Sequence, residues 1–137
     1  MDANSSNQSE LQQRLDFIGI DQRLLKQIQP IVSGAIGPAL DAFYAKVKQT
    51  DQLKHFFRDD SHIDTAKAAQ QRHWETIISG NINDSYVEGV TRIGKAHARI
   101  GLSPRWYIGA YARVIDHVIQ SMFAQPSDKK SGRWGKP

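Results

Sequence analysis

Cysteine is absent from the 137 residues, which excludes a disulfide framework, a thiolate zinc site and a cysteine nucleophile, and which fits a reducing compartment. No apolar run approaches the roughly 20 residues that a membrane span requires, so no direct membrane span is expected. The opening stretch Met1–Glu10 is polar and unlike a secretory signal. These absences together give the expectation of a cytoplasmic location. No segment of useful length alternates apolar and polar residues, so strands are not predicted. None of the five histidines pairs with another histidine or a carboxylate in an H-E-x-x-H or similar spacing, which leaves a zinc enzyme poorly supported.

What is present fits one ordinary globular domain: 39% hydrophobic and 23% charged residues are enough for a single continuous core, and disorder is not the default. The net charge is +4. Much of that surplus lies near the end of the chain, where Lys129, Lys130, Arg133 and Lys136 face only Asp128. A basic tail without a recognition module reads as a solvated linker, so no nucleic-acid partner is expected.

Helical periodicity organises the rest. Met1–Gln8 reads as frayed, and Leu11, Leu15, Phe17 and Ile18 suggest a leading helix that ends near Gly19. Asp21 can cap a helix carrying Leu24, Leu25, Ile28, Ile31 and Val32. Pro30, Gly34, Gly37 and Pro38 then predict a bend or helix boundary before a further helix with Leu40, Phe43, Tyr44 and Val47. Leu53, Phe56 and Phe57 form an apolar corner. Ser61, with Asp64 three residues on, predicts the start of a helix whose inner stripe is Ile63, Ala66, Ala69 or Gln70, His73 or Trp74, and Ile77. Another helix opens near Asn83, carries Tyr86, Val90, Ile93, His97 and Ile100, and stops at Gly101. Ser103-Pro104 opens a last helix through Trp106, Tyr107, Ala110, Tyr111, Val114, Val118 and Met122. Gln125–Pro137 reads as a polar loop or linker. The predicted fold class is all-α, divided into a leading segment 1–19, a domain over 20–124 and the segment 125–137.

Two residues stand out for chemistry. His97 lies in step with an apolar stripe, four residues after Ile93 and three before Ile100. Tyr44 lies on the apolar face of its own helix. Taken singly, each also reads as a core residue satisfied by a hydrogen bond. Taken together they permit a haem site, since a five-coordinate haem needs one neutral imidazole, an apolar slot and a hydroxyl able to meet the bound gas. His55 and His62 flank a charged corner and are expected to be exposed; His117 lies beside the stripe of the last helix.

The run from Ile93 through His97-Ala98-Arg99-Ile100-Gly101-Leu102-Ser103-Pro104-Arg105-Trp106-Tyr107 to Tyr111 closely resembles the proximal helix and following helix of the globin-coupled sensors, of the protoglobin-like kind. Phe43-Tyr44 resembles the F-Y signature of that family, and His73-Trp74 followed by Ser79-Gly80 resembles its distal helix. The resemblance spans about Ile20 to Phe123. It implies a globin fold with haem b, its iron ligated by His97, and Tyr44 as the distal donor. Tyr107 would orient the imidazole, and Phe56 or Phe57 would be the corner phenylalanine against the porphyrin. Ile93, Trp106 and Tyr111 would be pocket or core residues. Ala66 and Ala69 stand where the family often carries Leu and Thr, which predicts a more open distal pocket; of two readings of Gln70, a second polar contact turned inward or a solvated side chain, the solvated one is expected.

The resemblance also implies a sensor rather than an enzyme. O2 would be the ligand, with CO and NO as other candidates, and signalling would pass to an output module such as a chemoreceptor region or a diguanylate cyclase, the segment looking most like the chemoreceptor-linked branch. A homodimer is a candidate state. The family's final helix would follow Phe123, where the sequence reads as a loop, so the fold is expected to lack it. A cofactor-free helical interaction or regulatory module is the alternative; O2 storage and NO dioxygenation rank below both, the latter needing an electron supply.

Overall fold

The computed structural model describes residues 3–124, and among these six helices and no strands are present. They are α1 (Ala3–Ile18), α2 (Gln22–Lys48), α3 (Asp51–Lys54), α4 (Asp60–Ile78), α5 (Asp84–Ile100) and α6 (Pro104–Ala124). The expected loop at Gln125–Pro137, and with it the question of a final helix, lies outside the described residues. None of the described helices is long and apolar enough to cross a membrane.

Most boundaries follow local chemistry. Asp21 accepts from the backbone N–H of Arg23 and Leu24 and caps α2. Asn83 accepts from Tyr86 N–H and caps α5. Gly19, Gly80 and Gly101 all take positive φ where helices end. Gly80 also brings the end of α4 against the start of α2, and a Cβ there would stand 3.1 Å from the Gln22 carbonyl oxygen.

Three expectations need correction. Helix α1 runs from Ala3 instead of fraying through Gln8, because the chain carries no glycine or proline before Gly19 to interrupt the backbone ladder. The cap of α4 is Asp59, whose carboxylate accepts from His62 N–H, and not Ser61. Above all, α2 is one continuous helix of 27 residues with Pro30 and Pro38 inside it.

The reason for that continuity is tertiary. Each interior proline costs about 3 kcal/mol against alanine. Yet α2 buries Val32, Ile36, Leu40, Tyr44 and Val47 along one stripe, and each large apolar side chain so buried contributes roughly 1.5–3 kcal/mol. The carbonyls that lose their partners, at Lys26 and Gly34, belong to exposed residues and can bond water. Burial wins.

The core lies where α2 packs against α4 and α6, with α3 at the far end of α2. Ile36, Leu40 and Val114 are its most deeply buried side chains, joined by Ile63, Trp74, Ile78 and Val118. No polar or charged residue is buried among the described residues.

Candidate functional site

Between the α2–α4–α6 core and helix α5 lies a cavity of about 360 Å³, within the roughly 300–1,000 Å³ typical of ligand pockets. Its walls are predominantly apolar. All eight residues singled out for a cofactor line it: Tyr44 from α2, Phe56 from the corner after α3, Ala66 and Ala69 from α4, Ile93 and His97 from α5, and Trp106 and Tyr107 from α6. Phe57 lines it as well, so the corner contributes both phenylalanines.

The C-terminal cap of α5 fixes the backbone just beyond His97. The left-handed Gly101 lets the chain turn back, so that Gly101 N–H bonds the Ala98 carbonyl and Leu102 N–H bonds the His97 carbonyl at 3.0 Å. The I-G-L segment thus pins the backbone of the histidine itself. Pro104 starts α6 two residues later, which places Tyr107 in its first turn, and the Tyr107 ring stacks on the imidazole at 5.3 Å and 20°. The ring face of Tyr107 thus lies against His97. Burial lowers the His97 pKa below the usual imidazole range, which favours the neutral form that binds metal.

Tyr44 is 6% exposed. Phe43 meets its ring edge-on at 4.9 Å and Phe57 at 6.2 Å. Burial pushes the phenol up to about 12, so at neutral pH it is a hydrogen-bond donor.

Sequence reasoning misjudged two polar residues of the cavity wall. His62, expected to be exposed, is half-buried; its Nδ1 accepts from Arg58 N–H at 3.2 Å and its ring meets Phe57 at 5.3 Å. Gln70, expected to be solvated, is also half-buried, and its Oε1 is buried with no hydrogen-bond partner. Of the pair His73 or Trp74, the tryptophan enters the core. His73 instead bonds the Tyr111 hydroxyl at 3.0 Å and stacks on Tyr86 at 6.2 Å, linking α4 to both α5 and α6. His62, Ala66, Ala69, Gln70 and His73 fall at helical spacing on one face of α4. The sequence reading placed Ala66, Ala69 or Gln70, and His73 or Trp74 on this inner stripe and left out His62, whose position one turn before Ala66 was the available signal.

No group of three or more His, Cys, Asp or Glu converges among the described residues. His62, His73 and His97 all line the cavity without converging on one point, so a metal held at any one of them would need its other ligands from a cofactor.

A helical fold that sets a cavity between a histidine-bearing helix and a tyrosine-bearing helix defines a globin-type pocket domain. The protoglobin family profile matches residues 7–133. The chain belongs to the protoglobin family, and its fold is the all-α globin fold. It is also 24% identical over 120 residues to the heme-based aerotactic transducer HemAT of Halobacterium salinarum. That match covers 85% of this chain and 24% of the relative, so the chain spans about a quarter of that protein's length.

Proposed function

We propose that this chain is a haem-based gas-sensor domain, with O2 as its signal, in which His97 ligates the haem iron and Tyr44 donates a hydrogen bond to the bound gas. The observation that carries the reading is that His97 and Tyr44, from two different helices, line the same apolar cavity. Haem b would supply an iron site open to a diatomic ligand. The chain's own residues do the rest. The Gly101–Leu102 turn and the Tyr107 ring hold the imidazole, and the apolar walls keep bulk water from competing. The neutral Tyr44 hydroxyl points its donor at the negative end of O2, a bond worth about 1–3 kcal/mol in a dry site, or roughly ten- to a hundredfold in affinity.

On this reading the domain is cytoplasmic and performs no turnover. Gas binding to a haem held by His97 would shift α5 and bias two helix arrangements that an output module reads. The match to an aerotactic transducer supports a chemoreceptor-type output over a diguanylate cyclase. The signalling unit on this reading is a homodimer.

An ultraviolet–visible spectrum of hemin-loaded protein, reduced and then exposed to O2 and to CO, tests the proposal. An intense Soret band that His97→Ala abolishes is expected, with Tyr44→Phe releasing O2 roughly tenfold faster or more. Unchanged hemin uptake by His97→Ala sinks the ligand assignment. A colourless protein that takes up no hemin decides for the cofactor-free interaction module.

A further inference from the structure

Helix α5 has no buried residue and packs closely against no other described helix, the close packing being that of α2 with α3, α4 and α6. Two ring pairs hold it instead. At its C-terminal end Tyr107 of α6 stacks on His97 at 5.3 Å. At its N-terminal end His73 of α4 stacks on Tyr86 at 6.2 Å, with the rings 7° from parallel. Asn83 Oδ1 accepts from Tyr86 N–H at 3.1 Å, so ring and backbone are fixed at one place. Tyr86 and His97 are eleven residues apart, which in an α-helix is about three turns, roughly 16 Å, on the same face. The two pairs therefore grip one side of α5, with the cavity wall of Ile93 and Ala96 between them.

The N-terminal pair is anchored in the core. His73 stands next to the buried Trp74 and bonds the Tyr111 hydroxyl at 3.0 Å, and Trp74 meets the Tyr111 ring at 5.4 Å. Tyr111 lies one turn beyond Tyr107 on α6, so both grips trace back to one face of that helix. Tyr86 itself does not line the cavity and can act on its contents only through α5. We infer that Tyr86 is a positioning residue for the iron ligand: its ring, seated on His73, fixes the N-terminal end of α5 and so sets the place and tilt at which His97, three turns on, presents its imidazole. This rests on the haem-sensor reading above. A helix held at one end turns a small tilt there into a displacement that grows along its length; about 4° over those three turns moves the far end by roughly 1 Å. A ligand-driven shift of α5 is then a pivot about Tyr86, not a slide.

Tyr86→Leu removes the ring, and Tyr86→Phe keeps it without the hydroxyl. In the haem-free chain Tyr86→Leu should speed hydrogen exchange over residues 93–100 roughly three- to tenfold, the worth of one aromatic pair, with α2 around Ile36 and Leu40 unchanged. In the reduced, hemin-loaded protein the iron–histidine stretching band, which reports the strain on that bond, should shift and broaden in Tyr86→Leu. Tyr86→Phe should match the wild type in both measurements. His73→Leu, which takes away the other ring of the pair, should match Tyr86→Leu. A stretching band of wild-type position and width in both leucine variants would make the pair merely structural and overturn the inference, leaving the sensor reading intact. So would a Tyr86→Phe protein that behaves as Tyr86→Leu, since the hydroxyl and not the ring face would then matter. Wild-type protein that binds no hemin removes both readings.

Discussion

Helices α2 and α5 each carry a long apolar stripe, and they use it in opposite ways. In α2 seven residues are buried against α4 and α6, and the helix stays continuous through two prolines. In α5 no residue is buried, although its apolar and polar faces are cleanly separated. The stripe of α5, with Ile93, Ala96, His97 and Ile100, faces the cavity instead of another helix. The same sequence pattern thus produces a structural element in one case and a binding wall in the other. What separates them is the surface opposite the stripe: side chains that fill space for α2, and an open apolar slot for α5.

Truncation should separate the two most sharply. Leu40 is fully buried in α2, and Leu40→Ala should destabilise the haem-free chain by about 2–5 kcal/mol, through lost transfer energy and the cavity left behind. Ile93→Ala removes a comparable side chain from a wall that touches little, and should cost less than about 1 kcal/mol in the same urea titration. Comparable losses for both variants would mean that α5 is packed as tightly as α2.

The same division governs what could be read from the sequence. The ends of α5 were legible because Asn83 and Gly101 act locally, through one cap hydrogen bond and one left-handed residue. The pairing of His97 with Tyr44 was legible only through the long H-x-R-I-G-L-x-P-x-W-Y run, since neither residue's position on its helix distinguishes a wall from a core. The continuity of α2 was hidden, because Pro30 and Pro38 are strong local breakers and the burial that overrides them comes from α4 and α6, far away in sequence. Gln70 and His62 were misjudged for a related reason. A polar residue at the edge of an amphipathic stripe faces water or a cavity according to what lies opposite, and periodicity carries no information about that.

If α5 leans on the cavity's contents, filling the cavity should firm it. Hydrogen exchange over residues 93–100 should slow by roughly tenfold or more on hemin addition, while α2 around Ile36 and Leu40 changes little, being already protected by its core. Equal protection of both helices would indicate global stabilisation without a particular dependence of α5 on the cofactor.

The finest distinction concerns how α5 is tied back to the rest. His73 on α4 stacks on Tyr86 of α5 and bonds Tyr111 of α6, so those two phenols are the titratable groups that face it. Burial lowers the His73 pKa below the ordinary imidazole value of 6.5. An unfolded chain takes up a proton at His73 as the pH falls through that value while the folded chain resists it. The unfolded state then holds more protons, so this contribution to stability is present above pH 6.5 and is lost as the pH falls toward the lowered value. His97 shifts in the same direction and adds to the acid limb. His73→Phe keeps an aromatic face for Tyr86 but neither titrates nor bonds Tyr111. At neutral pH it should be the less stable by about 1 kcal/mol. Between pH 7.5 and about pH 5.5, however, its urea midpoint should fall less than that of the wild type, because only His97 then remains of the two desolvated imidazoles. An identical fall in both proteins would show that His73 stays as protonatable in the fold as in the unfolded chain, and that the tether between α4 and α5 is indifferent to pH.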